Sequence, residues 1–587
     1  MLNFKVKSNA IDINSQTPLE DYLRTLGITE VNEFIYRPSV KNELPGYLLN
    51  NVPRAIEMLR SSFENNKNIF LIVDCDTDGF TSSAIFYNYF HHLYPNSNIQ
   101  WMLHEEKQHG IELDKIPENA EVIIVPDAGS NQIEELTFLN KLGKTVIVMD
   151  HHQVEKELPF LSHICVINNQ NSELFNNKSL SGAGVTFKVL QEYNKTYHSN
   201  DNYINTLYDL AALGIIADCM DSRTLDNNYI IYKGLKNLNN KMFKALIDKQ
   251  NYSIDSETPN KIDVAYYIAP LINGTIRMGT MEQKELLFQG FIEAPTQDSF
   301  EHTWRGNTTT EDFYHHVARI AYNVKNEQNR KKMKCLEFLQ KRIETEGLDK
   351  NQIIVVITKE DDEVPVPKTI TGLVAMELLK LYGKPSLVLR PTIDGAGNLT
   401  YTGSGRSNSF EELPSFLAFV REQEESVYAQ GHACAFGASI KGNELQHFID
   451  ACNEKMSHID FANDTIYVDA HFADRVNSKI IYDFAKGKDI YGNQIPQPLI
   501  AISGLISKSD IKIMGTDGSS VKITIKNIPC IKFKSKELAQ KLSAIKSCAC
   551  ITVIGRPNLN NYMGIETPQL FIDYIDFEEI QNYRGLF

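Results

Sequence analysis

The chain has 587 residues, 42% of them apolar and 23% charged, which excludes a disordered chain, a collagen-like chain and a small disulfide scaffold. Its 59 basic against 74 acidic residues leave a net charge of −15. That excludes a protein coated in positive charge, such as a histone-like packager, but leaves room for basic grooves and for acids that hold metal ions.

At roughly 100–200 residues per domain the length predicts about three or four domains. Nine scattered cysteines with no C-x-x-C pair fit free thiols in a reducing cytosol. The start, MLNFKVKSNAIDIN, lacks the apolar core of a signal peptide, and no run of 18 apolar residues occurs. The expectation is a cytoplasmic protein without a membrane span.

Residues 1–65, broken by Pro38, Pro45 and Pro53, read as an N-terminal extension packing on the domain next to it in the chain. From residue 66 short Ile/Val-rich runs alternate with helical stretches: IFLIV (69–73), VIIV (122–125) and TVIVM (145–149). Such runs fit strands buried on both faces of a parallel sheet. Helices are predicted over Phe80–Leu93 and Ile133–Leu142, which makes this an α/β layer. Helices dominate from 183 to 350, and the charged stretch Glu311–Gly347 predicts one long, solvated spacer helix.

A second α/β pattern comes next, with strands IIVVIT (353–358) and SLVLR (386–390) flanking the helix TGLVAMELLKLYG (371–383). The Gly-rich runs TGSGRS (402–407) and GHACAFG (431–437) read as loops beyond it. From 465 onward LIAISGLI (499–506), SVKITIKNI (520–528), CACITVIG (548–555) and PQLFIDYIDF (568–577) predict a small antiparallel barrel. Its turns are expected at TDG (516–518) and RPN (556–558).

Three acidic motifs each come directly after a buried-strand run: FLIVDCDTDG with Asp74, Asp76 and Asp78, VIIVPDAGS with Asp127, and VIVMDHH with Asp150, His151 and His152. In open parallel sheets the ligand crevice lies beyond the carboxyl ends of the strands. A single aspartate there is usually a cap. Three motifs in register place five carboxylates and two imidazoles in one crevice, and divalent cations resolve that repulsion. Carboxylates with a minority of imidazoles suit Mn²⁺ or Mg²⁺ rather than a closed zinc site. Two ions about 3.5–4 Å apart can share a bridging carboxylate, activate water and hold a phosphoryl oxygen.

These motifs, in this order and spacing, resemble the DHH phosphoesterase superfamily. GIIADCMD (214–221) looks like a further family motif, with Asp218 at its acidic position, and SGAGVTFKVL (181–190) looks like a family segment. GLVAMELLKLYGKPSLVL, GSGRS and GHACAFG resemble the DHHA1-type substrate-binding domain, with Gln430 where the family usually carries Gly. APLINGTIRMG (269–279) and the barrel-like end are similar to RecJ-type single-strand-specific exonucleases.

The implied fold class is α/β. It has an N-terminal extension (1–65), a DHH catalytic domain with a parallel sheet (66–310), a connecting helix (311–349), a DHHA1-type domain (350–460) and an OB-like C-terminal domain (465–587). The implied activity is a two-metal phosphodiesterase using Mn²⁺ or Mg²⁺, a 5′→3′ exonuclease on single-stranded DNA that releases 5′-mononucleotides. By position, Asp76, Asp78, Asp127, His151 and Asp218 are the metal ligands, with Asp127 as the bridge. Asp74, Asp150 and His152 are the supporting catalytic groups, His152 holding the scissile phosphate.

Arg406 and Ser404, with Gly431 and His432, have the chemistry of a phosphate grip: Gly admits close backbone approach and Arg offers paired donors. Arg277 and Asn273 are further substrate candidates. In the loop HEEKQHGIEL (104–113), where family members carry an Arg and Gly-Tyr-Gly, Lys107 and His109 are the candidate phosphate contacts. Residues 501–560 hold ten basic and three acidic residues, a net of +7 and the footprint of phosphate-backbone binding. Phe533 and Tyr562 are candidates to stack bases.

The catalytic motifs serve equally a phosphodiesterase of short oligonucleotides or cyclic dinucleotides. The 123 residues beyond the two α/β domains favour a longer single strand. The expected partners are single-stranded DNA and single-strand-binding or repair and replication proteins, with the chain itself a monomer and no membrane involved.

Overall fold

The computed structural model describes residues 2–105, 108–156, 158–254, 257–461 and 465–580. Strand β1 (Phe4–Val6) opens the chain, and the first large sheet is built from β2 (Ile69–Val73), β3 (Ile99–Leu103), β4 (Val122–Pro126), β5 (Thr145–Asp150) and β6 (Ile164–Asn168). All five are parallel, in the order β3-β2-β4-β5-β6.

Alternation along each strand supplies two cores. Leu71, Val73, Val122, Ile124, Ile147 and Met149 face the helices Thr77–Leu93, Gly182–Tyr197 and Tyr208–Ala217. Phe70, Ile72, Ile123, Val125, Val146 and Val148 face the helix Ile133–Lys141 through Leu136 and Leu139. Burial on both faces explains the unbroken Ile/Val runs. The first helix begins at Thr77 rather than Phe80, because Asp76 caps it, its side chain accepting from the Gly79 N–H at 3.0 Å.

A hairpin of β7 (Ser299–Trp304) and β8 (Asn307–Asp312) interrupts the helical region. Glu311 therefore lies in a strand, and the long helix runs over Phe313–Glu346. Asp312 caps it and Gly347, at φ 69°, ends it. It is more than a solvated spacer. Phe313, Val317 and Ala321 sit in the first core, and Cys335, Leu339 and Ile343 in the core of the second α/β unit.

That second unit has β9 (Ile354–Ile357), β10 (Ser386–Ile393), β11 (Leu399–Arg406), β12 (Ser426–His432) and β13 (Ala435–Lys441), ordered β12-β13-β11-β10-β9. Here both Gly-rich runs depart from the loop reading. TGSGRS lies in β11, and GHACAFG is the hairpin end joining β12 to β13. The glycines serve close packing: a β-carbon on Gly405 would stand 2.7 Å from the Phe436 ring.

β14 (Ile466–Val468) pairs with β1 in a separate two-stranded sheet, and the last sheet comprises β15 (Ala470–Phe472), β16 (Ile500–Ser507), β17 (Ile511–Met514), β18 (Ser520–Ile525), β19 (Ile528–Lys532), β20 (Cys548–Tyr562) and β21 (Ile565–Glu579). The order β15-β16-β20-β21-β19-β18-β17 gives a seven-stranded OB-like sheet, mixed rather than antiparallel, since β15–β16 and β19–β21 are parallel pairs. Among the described residues no strand pairing closes it into a barrel.

SVKITIKNI is broken by a two-residue turn at Lys526-Asn527, both at positive φ, the geometry that matches strand twist in tight hairpins. RPN is no turn. Pro557 sits within β20 beyond Gly555, where pairing with β16 has ended, so its missing N–H breaks no ladder there. The turn comes at Met563-Gly564.

The N-terminal extension departs furthest from expectation. Ile11, Tyr22, Leu23, Val31 and Phe34 belong to the core of the C-terminal unit, and β1 pairs with β14. Residues 49–63 pack on the first sheet. Among the described residues no helix is long and apolar enough to cross a membrane.

Candidate metal centre

β2, β4 and β5 are neighbours, and their carboxyl ends release Asp74, Asp127 and Asp150 at one edge of the sheet. Asp127 sits at φ 65°, and its N–H donates to the Met149 carbonyl at 2.8 Å, tying its turn to β5. Non-glycine residues rarely occupy this region, Asp among the more tolerant. A β-carbon on Gly182 would stand 2.3 Å from Asp127 Oδ1, so the helix start can approach only because it is glycine.

Asp78 accepts from the N–H groups of Gly182 (2.6 Å) and Ala183 (3.1 Å), the free donors at a helix N-terminus. Asp218 comes directly after the helix Tyr208–Ala217, which also needs glycine. A β-carbon on Gly214 would meet Asp78 Oδ1 at 2.3 Å.

His151 stands between these acids. Its Nε2 is 3.3 Å from Asp127 Oδ1, 3.4 Å from Asp218 Oδ2 and 4.0 Å from Asp78 Oδ2. Asp150 is turned away to hold the turn. Its Oδ1 accepts from the His151 and His152 N–H groups and from His152 Nδ1 (2.8 Å), and its Oδ2 from the Ser130 N–H.

The electrostatics separate two kinds of acid. Burial, and then the neighbouring carboxylates, push Asp76 up and Asp127 well up from the ordinary range, and push Asp218 up to about 8. Burial alone would raise Asp150 too, but the bond from His152 and that ring's charge hold it below the ordinary range. Burial pulls His152 down, yet Asp150 brings it up to about 9, while His151 is lowered by burial and stays neutral.

Asp127 Oδ1 is buried and accepts no hydrogen bond among the described residues; His151 Nε2 lies close but off hydrogen-bond geometry. Unsatisfied, mutually repelling carboxylates around a neutral imidazole are a donor set that fits divalent cations. Asp78, His151 and Asp218 offer ligand atoms within 4.8 Å of one another, as do Asp127, His151 and His152.

The second α/β unit faces this edge. Arg406 ends β11, its Nη2 lying where a β-carbon on Gly372 would come within 2.5 Å, and its Nη1 donates to the Gly405 carbonyl. Burial, and then the like charge of Arg277, lower its pKa. Neither arginine makes an ion pair among the described residues. Ser404 Oγ is 2.9 Å from Thr371 Oγ1. His432 is near enough for its charge to act on His151, and Gly431, at φ 136°, forms the bend beside it. Asn273, part-buried, holds the helix start next to Asp76. Its Oδ1 accepts from the Thr77 N–H and hydroxyl, pinning the first helix.

Two family descriptions match this chain: the N-terminal domain of the DHH family over residues 68–215 and the RecJ OB domain over 472–574. The SPbeta prophage-derived YorK of Bacillus subtilis strain 168, provisionally named a single-strand DNA-specific exonuclease, is 32% identical over 94% of this chain and 95% of its own length. The chain belongs to the RecJ-type single-strand-DNA-specific exonuclease family.

The single-stranded-DNA-specific exonuclease RecJ of Bacillus subtilis is 24% identical over 89% of this chain and 63% of its own length. The crystal structure of RecJ from Thermus thermophilus in complex with Mn²⁺ shares the fold, with a TM-score of 0.72, 18% identity, and coverage of 99% of this chain and 80% of that one.

Several groups in this RecJ-type chain lie outside the acidic motifs. His109 Nδ1 donates to Asp74 Oδ2 at 2.8 Å and the Gly110 N–H to Asp74 Oδ1 at 3.0 Å, so the loop is folded onto Asp74. That bond, first, lifts His109 up to about 11. Lys107 lies outside the described residues. His104 is buried beside Asp74, bonded to Glu112, with its Nε2 4.0 Å from Asp74 Oδ1. Asn168, at the end of β6, donates to Ser130 Oγ and to the His152 carbonyl, and Gln170 to the His151 carbonyl. The strand-end rule that found the acids also points to Asn168. The histidines of the loop carry no periodic signal.

Proposed function

We propose that this chain hydrolyses single-stranded DNA from the 5′ end, one phosphodiester at a time, releasing 5′-mononucleotides, with Mn²⁺ or Mg²⁺ bound at the carboxylate edge. The observation that carries the reading is Asp127 Oδ1, buried without a hydrogen bond among four other acids and facing a neutral His151. Asp76, Asp78, Asp127, His151 and Asp218 would hold the two ions. When bound, they supply Lewis-acid stabilisation of the phosphoryl oxygens and a more acidic attacking water.

The protein groups then have separate tasks. His152, charged near neutral pH, donates to a non-bridging oxygen of the scissile phosphate, where such a donor is worth roughly 10²–10³ in rate. Asp150 fixes the ring that does so. Asp74 holds the His109 loop at the rim. Arg277 and Arg406, two guanidinium groups without carboxylate partners among the described residues, grip a backbone phosphate, with Ser404, Gly431 and His432 beside it.

The C-terminal unit holds the rest of the strand. Lys508, Lys512, Lys534, Lys536 and Lys546 are exposed, and Phe533 and Phe571, both exposed, meet edge to face at 5.7 Å. Tyr562 is 66% exposed at the tip of the β20–β21 hairpin. Such basic and aromatic surface binds single strands through phosphates and base stacking. Lys532 is spent on the Ile572 and Asp573 carbonyls and Arg556 on Asp573. The proposed active species is the monomer.

A time course on 5′- and 3′-labelled single strands with Mn²⁺ tests this reading. Mononucleotides released at once from the 5′ label are expected. Early release from the 3′ label, or a strong preference for dinucleotides over long strands, would overturn it.

A further inference from the structure

The C-terminal unit touches the turn that carries Asp218. Within the segment 490–497, Gly492 and Ile495 exchange backbone hydrogen bonds of 3.0 and 3.1 Å, closing a tight turn in which Gln494 has φ 62°. Asn493 is thereby presented at the tip. Its Nδ2 donates to the Cys219 carbonyl, and the Ser222 hydroxyl returns a 2.6 Å bond to the Asn493 carbonyl. Lys261, buried, fixes the base of the segment by donating to the Ile490 carbonyl at 3.0 Å.

The turn so gripped is an unfavourable one. Cys219 is at φ 55°, and the Met220 N–H reaches back to the Ile215 carbonyl as the helix ends. A left-handed residue with a β-carbon is disfavoured and persists where its surroundings impose it. On one side of the turn Ile216, Cys219, Met220 and Asn493 line a cavity of 860 Å³ between the two units. Among the described residues Asn493 is the one donor to the Cys219 carbonyl.

We propose that Asn493 is a positioning residue for Asp218, so that the C-terminal unit completes the metal centre as well as holding the strand. The proposal rests on Asp218 being a metal ligand. It separates two roles for one domain: strand affinity, which depends on substrate length, and metal affinity, which does not.

The experiment uses the full chain. Mn²⁺ binding is measured by calorimetry for wild type, Asn493→Ala, Ser222→Ala and Asp218→Ala, beside activity on a trinucleotide and on a long strand. Asn493→Ala is expected to weaken Mn²⁺ binding about fivefold, below the tenfold or more typical when a partner of the ligand itself is lost. The Mn²⁺ needed for half-maximal rate rises alike on both substrates, and KM for the long strand is unchanged.

Ser222→Ala, which loosens the same contact while keeping Asn493, shifts binding in the same direction by a smaller factor. Wild-type Mn²⁺ affinity in both variants, with or without a higher KM on long strands, would overturn the proposal. Wild-type affinity in Asp218→Ala would instead overturn the ligand assignment beneath it.

Discussion

Asp127 combines strained backbone, complete burial and an unsatisfied oxygen, which together mark a residue kept for chemistry rather than for stability. Asp127→Ala is expected to abolish Mn²⁺-dependent cleavage while the fold persists, measured by end-labelled degradation beside circular dichroism. Gly182→Ala tests the same point from the other side. Its new β-carbon would displace Asp127 Oδ1, and at least about tenfold weaker Mn²⁺ binding is expected by calorimetry.

The acids also set a pH dependence. Asp218 goes from 3.8 to about 8 on folding, so between those values the metal-free folded state holds a proton that the unfolded chain has released. Stability from this group is complete below about 4 and is lost as pH rises through about 8. The melting temperature in chelator should fall between pH 5 and pH 8.5, and added Mn²⁺ should restore more of it at the higher pH.

At the scale of elements, the placement of the acids was legible because a parallel sheet delivers the ends of neighbouring strands to one edge, and each motif was written directly after its strand. The same physics explains the elements that were not legible. β3 is a more polar run, and neither β3 nor β6 carries an acidic motif, so nothing singled them out. TGSGRS looks like a loop by composition, but glycine is needed there for close packing between strands.

Helix ends act as fixed dipoles in the site, the N-terminus at Gly182 facing Asp78. The element holding that helix in place is a buried ion triad: Lys188 Nζ meets Asp226 at 2.8 Å and Glu43 at 3.2 Å. Lys188→Met leaves two buried carboxylates unpaired, and a loss of about 3–5 kcal/mol is expected in denaturant unfolding of the catalytic unit.

For the whole molecule, the net charge of −15 resolves into regions of opposite sign, and the basic one lies in the last sheet. Lys534→Ala is expected to weaken long-strand binding alike across sequences and to reduce the salt slope by about one, read from binding at several salt concentrations. The extension was illegible as part of the C-terminal unit, because its contacts lie at the opposite end of the chain. Tyr22, buried there, donates to the Pro496 carbonyl, three residues from Asn493. Removing residues 1–36 is expected to expose the C-terminal unit to limited proteolysis while the first sheet stays protected.

That joining of the two ends governs how the polypeptide is made. Lys7 pairs with Asp469, 462 positions away, and the Leu2 N–H meets Asp576. During synthesis the opening segment leaves the ribosome long before its partner strands exist, so the last unit can assemble only once nearly all of the chain has emerged. Because Leu2 and Asp576 meet, the two segments can be joined by a linker and the chain reopened near residue 66. Such a circular permutant would present the extension after its partners, and its last unit should fold without the wait.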